Sequence, residues 1–327
     1  MKTLHPFLFG AALLVAGALG GCETIVDVDV PPHQPKLSLS YTLSNQAPTA
    51  DYRQSLPVRN LFVGTSKGVL DTRPLTGRTD ATVVLRDAAG EVVEQFERRP
   101  PPTSSADGPY RATRNFAGQP GQTYTLEASA PGVEPVTATL TLPAVPTIET
   151  AAYAVRTTGS TGFAENTGRL TLSVLDDAAT ADYYLVYARA LDADGRFWGT
   201  VRLDYSVSSN DGPILLDRLQ LSEGDNLSNQ EVFSDAGANG QRLNLAADVA
   251  LFYRGGYSGG SPTTRPAYIE VIVSNVTADT YRFYQSLRRY YDTDGNPFAE
   301  PAPLFSSFPT GYGVFGGASD AVYRIRL

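Results

Sequence analysis

Paired carboxylates are the side chains of this sequence that could carry out acid–base chemistry. Two acids that face one cleft can cleave a glycosidic bond without the help of histidine, and Asp176 and Asp177 form the most visible pair. Adjacent residues of a strand point to opposite faces, however, and a pair at the end of a strand is usually solvated. The pattern therefore favours a structural role, and a carboxylate-dependent hydrolase stays as the least favoured alternative.

Histidine is scarce, and this scarcity excludes most other catalytic sites. The two histidines are His5, near the N-terminus, and His33, in a proline-rich stretch. A Ser-His-Asp triad, a Cys-His pair or a histidine zinc site would have to use His33, which is poorly placed for any of them. The glycines between Gly255 and Gly260 follow no nucleotide-binding spacing. We therefore expect a chain that is not an enzyme and uses no cofactor.

Two oxygen-rich segments resemble calcium-binding loops in part. Asp192–Gly195 and Asp292–Asn296 carry acids at alternate positions, as loops that ligate calcium do. Neither segment has the complete spacing, with glycine at the sixth position and a glutamate beyond it. We therefore predict turns at both segments and no metal site.

Cys22 is the only cysteine, and it follows a segment typical of a lipoprotein signal peptide. A positive start at Lys2 precedes the apolar run Phe7–Leu19, which ends in Leu19-Gly20-Gly21-Cys22. A run of about 13 residues is too short to span a bilayer and fits a signal-peptide core. The small residues before the cysteine match a lipobox. We expect cleavage of residues 1–21, lipid attachment at Cys22 and a membrane partner reached through that lipid.

The charge and the first residues after Cys22 indicate the compartment. The formal net charge is −8, and removal of Lys2 with the signal peptide makes the mature chain more negative, which opposes nucleic acid as a partner. Residues 22–35 form an acidic and then proline-rich tether, and such a tether is stiff and extended. Acidic residues at this place resemble the export signal of surface lipoproteins in Bacteroidetes. We expect an outer-membrane, surface-exposed lipoprotein, with a periplasm-facing one as the alternative.

Period-two alternation of apolar residues runs through the rest of the chain and predicts strands with one buried face. Leu37–Leu43 shows the alternation clearly, and Asp87–Gly90 supplies a hairpin turn between two such runs. The segment Pro143–Pro146 interrupts the pattern and marks a domain boundary. We predict a mainly β fold, with an immunoglobulin-like or fibronectin-like sandwich in residues 36–145 and a larger antiparallel β domain in residues 146–327.

One segment near the C-terminus has helical periodicity. From Ala278 to Tyr291 large residues recur three or four apart, with Asp279 in the first turn, as a helix prefers. Tyrosine and arginine are enriched among residues that dominate binding energies. We predict a partner-facing or ligand-facing edge; the alternative is a helix that closes one end of the sandwich and whose tyrosines complete the core. The candidate binding residues are Tyr281, Tyr284, Arg288, Arg289 and Tyr312.

Three blocks carry a family resemblance: Gly121–Leu126, Asn296–Pro301 and Gly311–Gly316. Together with the lipid cysteine and its acidic tether, they resemble a Bacteroidetes outer-membrane lipoprotein family of unknown function. Ser306–Phe308 departs from the pattern, where an asparagine-containing turn is expected. Genes of such proteins often lie beside TonB-dependent receptors. The resemblance therefore implies an accessory role in nutrient uptake, with such a receptor as partner, and it supplies no catalytic residues.

Two readings of the function follow from the sequence. The favoured reading is a non-enzymatic lipoprotein that binds an unidentified ligand or docks on a transporter through loops and aromatic faces. The rival is a structural or adhesive envelope protein that uses the sandwich as a spacer. A concave pocket in the second domain would favour the first reading over the second.

Overall fold

The computed structural model covers most of the chain downstream of the predicted signal peptide. Cys22, the glycine-rich segment 255–260 and the block 296–301 lie outside the residues that it describes. The described residues are 32–68, 71, 77–98, 110–161, 164–205, 219–254, 264–293 and 302–327.

The described residues form two β-sheets and two α-helices. The ten-stranded sheet has the order β2-β1-β15-β14-β10-β11-β13-β9-β8, with β12 paired to β10, and the five-stranded sheet has the order β5-β4-β3-β6-β7. The helices are α1 (Ala50–Ser55) and α2 (Ala278–Thr293). The strands are Leu37–Ser44 (β1), Phe62–Thr65 (β2), Thr82–Asp87 (β3), Val92–Arg98 (β4), Tyr110–Ala112 (β5), Thr123–Ser129 (β6), Val136–Thr141 (β7), Thr147–Thr161 (β8), Ala164–Leu175 (β9), Tyr183–Leu191 (β10), Phe197–Leu203 (β11), Phe233–Ser234 (β12), Arg242–Tyr253 (β13), Tyr268–Val276 (β14) and Tyr312–Arg326 (β15).

The five-stranded sheet follows directly from the alternation in the sequence. In β7 the apolar residues Val136, Ala138 and Leu140 are buried and the threonines between them are exposed. The predicted turn joins β3 to β4, and Gly90 adopts φ +84° there, a conformation that glycine reaches at little cost. The sheet therefore has one buried face and one solvated face.

The layer that covers the five-stranded sheet comes from both ends of the chain. Leu39 on β1, Val63 on β2 and Phe315 on β15 share one core with Val83 and Leu126 of the small sheet. The strand β1 runs parallel to β15 and antiparallel to β2, so the large sheet is mixed. The predicted mainly β fold with one helix near the C-terminus is confirmed. The strands β1 and β2 precede the predicted boundary at residue 145 and yet belong to the ten-stranded sheet.

The other strands of the large sheet enclose a second core. Leu172 on β9, Trp198 on β11, Leu245 on β13 and Val271 on β14 are buried together. The strand β8 ends the hydrogen-bonded order but also contacts β15, so the sheet curves back on itself. A third core lies under α2, which packs Phe283 and other apolar residues against β10, β14, β15 and α1.

A buried ion pair joins the N-terminal segment to the last two strands. Arg59, which lies in a 3-10 turn after α1, has its Nη1 atom 2.7 Å from Oδ2 of Asp320 on β15, and the Asp320 side chain is fully enclosed. The Ser274 hydroxyl on β14 donates to Asp320 at 2.6 Å, and the Tyr52 hydroxyl on α1 donates at 2.8 Å. Burial lowers the pKa of Arg59, but the effects of Asp320, Tyr52 and Tyr187 together outweigh it and raise this pKa well above its usual value. The ion pair and its hydrogen bonds hold four elements together.

Candidate functional site

The helix α2 uses most of its apolar surface inside the protein. The hydroxyl of Thr277 accepts the N–H of Thr280 at the start of the helix, and Asp279 in the first turn pairs with Arg282 at 3.1 Å. Phe283 and Tyr284 face the third core, and Tyr284 is only 4% exposed. Tyr284 therefore completes the core, as the alternative reading of the helix expected, and it is not available at the surface.

Two further candidate binding residues are partly buried by specific contacts. The Tyr281 ring stacks on Tyr183, with 4.5 Å between the ring centroids, so it covers the start of β10. Arg288 forms an ion pair with Glu231 and also donates to the carbonyl of Gln230. These contacts fasten α2 to the chain segment before β12. Tyr281 and Arg288 thus have packing roles whether or not a partner also touches them.

Four of the five exposed residues of α2, residues 289–292, lie near its C-terminal end, and the fifth is Arg282. Arg289 is exposed, Tyr290 is 38% exposed and Tyr291 is 46% exposed. The two tyrosine rings contact each other edge to face, with 5.8 Å between their centroids. Arginine and tyrosine are enriched at protein contact surfaces, and these three exposed residues are consecutive in the sequence. We call Arg289, Tyr290 and Tyr291 the helix-end patch.

Tyr312 is exposed at the start of β15. Its side chain is 47% exposed, and Nζ of Lys36 lies 6.0 Å from the centre of its ring. Tyr312 pairs with Ser38 in the parallel ladder between β1 and β15. Lys36 is the first residue after the predicted tether. Tyr312 therefore lies at the edge of the large sheet where β1 begins.

Asp176 and Asp177 do not act as a pair. Asp176 is buried at 5% exposure, while Asp177 is exposed and caps the N–H of Ala179. The partners of Asp176 are instead Asp182 and Asp235, and ligand atoms of these three carboxylates lie within 4.8 Å of one another. Among the described residues they form the one group of three or more His, Cys, Asp or Glu side chains that could hold a metal ion.

The three carboxylates lie at ends of strands in the large sheet. Asp176 follows β9, Asp182 precedes β10 and Asp235 follows β12. A cavity of about 290 Å³ lies beside them and is lined by Asp176, Asp177 and Asp182, with Tyr184 and Asn275. This is a concave feature of the second β region of the kind that binding proteins use.

The two oxygen-rich segments have different outcomes. The hairpin between β10 and β11 is the predicted turn: Asp192 accepts the N–H groups of Asp194 and Arg196 at 3.0 and 2.9 Å, and Gly195 adopts φ +77°. Residues 294–296 of the second segment lie outside the described residues. The described part of that segment ends α2.

Sequence reasoning did not single out Asp182, Asp235, Arg59 or Asp320. Asp182 and Asp235 are 53 positions apart, and no metal-binding spacing links either of them to Asp176. Arg59 and Asp320 are 261 positions apart. The only local signal for Asp320 is its place within a long apolar segment, where an acid is unusual.

The chain matches a known protein family. A family model described as a domain of unknown function, DUF4249, matches residues 23–324. The matched range contains every described strand and helix, apart from the last residues of β15. No curated protein matches the chain. None of the helices in the described part of the chain has the length and apolarity needed to cross a membrane.

Proposed function

This chain belongs to the DUF4249 family, and from that premise we propose that it is an outer-membrane lipoprotein, anchored by lipid on Cys22 and exposed at the cell surface. In this proposal it acts as a non-enzymatic binding or accessory component of a TonB-dependent nutrient uptake system. The lipobox before Cys22 supports the anchor, and the family match begins at residue 23, immediately after it.

The helix-end patch is the observation that carries the docking role. The inner face of α2 is already filled by Phe283, Tyr284 and Leu287, so Tyr290 and Tyr291 add nothing to that core. Exposed tyrosines beside an arginine supply contact area at a low entropy cost, because each ring has only two rotatable bonds. The patch therefore suits a protein partner.

The arrangement of the buried acids supports a non-enzymatic role. Both oxygens of Asp176 and both oxygens of Asp182 already accept hydrogen bonds from uncharged donors. A glycosidase needs one carboxyl group that gives a proton to the substrate and a second that faces the sugar. Asp176 and Asp182 are only 5% and 6% exposed, so neither presents its carboxyl group openly to a sugar.

The docking role is tested by co-purification from detergent extracts with a TonB-dependent receptor that is expressed in the same cells. We expect the combined variant Arg289→Glu, Tyr290→Ala and Tyr291→Ala to lose at least 30-fold in affinity, since one hot-spot residue is worth about 2 kcal/mol. Arg196→Glu is the matched control, because the Arg196 side chain is 75% exposed and lies outside the helix-end patch, on the turn between β10 and β11; this variant should bind the receptor normally.

Retained capture by the triple variant would refute docking through this patch, and it would favour the structural or adhesive role. A large fall in the melting temperature of the triple variant would show instead that the patch belongs to the fold. The anchor is tested separately with labelled palmitate. Cys22→Ala should carry no label and leave the membrane fraction; a labelled, membrane-bound variant would refute lipidation at Cys22.

A further inference from the structure

The acidic group of Asp176, Asp182 and Asp235 is buried without a cation. The exposed fractions of the three side chains are 5%, 6% and 4%, and their nearest carboxylate oxygens lie within 4.8 Å of one another. Among the described residues, no lysine or arginine forms an ion pair with any of the three. Three ionised carboxylates at this separation away from water repel one another strongly, and a bound cation would relieve that repulsion.

The hydrogen bonds of the group are all with neutral donors. The Tyr184 hydroxyl lies 2.5 Å from Oδ1 of Asp176, and the N–H of Gly240 lies 2.7 Å from its Oδ2. The Thr180 hydroxyl donates to Asp182 at 2.8 Å, and the N–H of Asp182 donates to Asp235 at 3.0 Å. These donors orient the carboxylates, but they do not neutralise them.

Asn275 supplies an independent sign of a missing ligand. Its side chain is 3% exposed, and its Nδ2 atom donates to Asp182 at 2.7 Å and to the carbonyl of Ala144 at 3.2 Å. Its Oδ1 atom is buried and has no hydrogen-bond partner, which is costly in a folded protein. A half-turn of the amide would bring this oxygen to the position beside Asp182, where a bound cation would attract it.

We propose that Asp176, Asp182, Asp235 and the amide oxygen of Asn275 bind one calcium ion. All four ligands are oxygens, which excludes a preference for zinc or copper and favours a hard cation. Four protein oxygens favour calcium, which takes about six to eight oxygen ligands, over magnesium, which keeps several waters and is usually bound through one or two carboxylates. The adjoining cavity of about 290 Å³ gives the ion a path and room for water ligands.

The ion would join four strands of the large sheet. The ligands come from the ends of β9, β10 and β12 and from β14, so calcium would cross-link segments that are far apart in the sequence. Calcium sites of extracellular modules bind with a Kd of about 0.1–1 mM. The inference does not depend on the docking role, because it concerns another part of the fold.

Terbium luminescence and thermal unfolding of the full chain in detergent, freed of metal by a chelator, test the proposal. Terbium substitutes for calcium, and Tyr184 is close enough to sensitise its emission when tyrosine is excited. We expect emission that calcium abolishes and magnesium at the same concentration does not. Calcium at 100 times its Kd should raise the melting temperature by about 5 °C in a chain of this size.

Asp235→Asn and Asp182→Asn should each weaken calcium binding at least tenfold, since asparagine keeps a hydrogen-bonding oxygen and removes the charge. Asp177→Asn is the matched control, because Asp177 is exposed and follows Asp176 directly in the sequence. The calcium affinity of this variant should stay within twofold of that of the unmodified chain. Absence of a calcium-dependent melting shift in the unmodified chain would overturn the proposal without any variant. An equal loss in Asp177→Asn would overturn the assignment of the ligands.

Discussion

Replacement of Asp320 by alanine should destabilise the protein by about 4 kcal/mol. Removal of one partner of a buried ion pair costs about 3–5 kcal/mol, because the other charge is left uncompensated. Arg59 keeps the Ser274 hydroxyl at 2.7 Å and the face of Tyr187, whose ring centre is 5.1 Å away, and these contacts reduce the loss. The Tyr52 and Ser274 hydroxyl groups lose the acceptor of their hydrogen bonds, however, and this increases the loss of stability.

Urea unfolding, followed by circular dichroism and by the fluorescence of Trp198, measures this loss of stability. We expect the urea concentration at the midpoint to fall while the slope of the unfolding free energy against urea concentration stays constant. Asp194→Ala is the matched control, since this aspartate is 75% exposed and lies 4.0 Å from Arg196; it should leave the midpoint unchanged. The double variant Arg59→Met, Asp320→Leu should recover most of the loss, because it removes both buried charges. A cost below about 1 kcal/mol for Asp320→Ala, or a double variant no more stable than the single one, would refute the reasoning.

Two further predictions concern Tyr153, whose hydroxyl oxygen is buried, and Gly313, whose backbone lies close to Leu39. Burial raises the pKa of Tyr153 from 10.0 to about 12. Between these two pH values the tyrosine ionises in the unfolded chain before it ionises in the folded chain. The stability that the neutral side chain contributes is therefore complete below pH 10 and is lost as the pH rises towards 12. Absorbance at 295 nm and circular dichroism should show less alkaline destabilisation in Tyr153→Phe, and an identical pH profile would contradict this. Gly313→Ala would place a Cβ atom 1.8 Å from the carbonyl oxygen of Leu39 at φ +106°, whereas Gly90→Ala meets nothing within 4 Å. Thermal unfolding should therefore show a loss of about 1 kcal/mol at Gly90 and several times more at Gly313, and equal losses would refute the steric argument.

Local sequence patterns predicted the strands and helices of the fold better than they predicted which of these elements lie side by side. The alternation in β7 and the turn at Gly90 depend only on neighbouring residues, because side chains alternate along a strand and glycine accepts positive φ. The helix predicted from Ala278 to Tyr291 extends from Ala278 to Thr293. Short α1 was not predicted, since it has only six residues and such a length shows little periodicity.

Pairings between distant segments could not be read from the sequence. The parallel ladder of β1 with β15 joins the two ends of the described chain, and strand alternation says which face is buried but not which strand lies beside it. The same limit applies to the acids. Asp176 was visible because Asp177 follows it, and the structure shows that its partners are Asp182 and Asp235, which no spacing connects.

The helix shows why periodicity selects packing residues more readily than binding residues. Side chains three or four apart share one face of a helix, and a face that is regularly apolar is the face that a core buries. The stripe that drew attention to Tyr284 therefore led to a residue that is 4% exposed. Tyr290 and Tyr291 continue the same spacing beyond Leu287, yet they are 38% and 46% exposed. Among the residues that the structure describes, the third core contains none of α2 after Leu287, so a partner of α2 should be sought where the helix extends past the core that it covers.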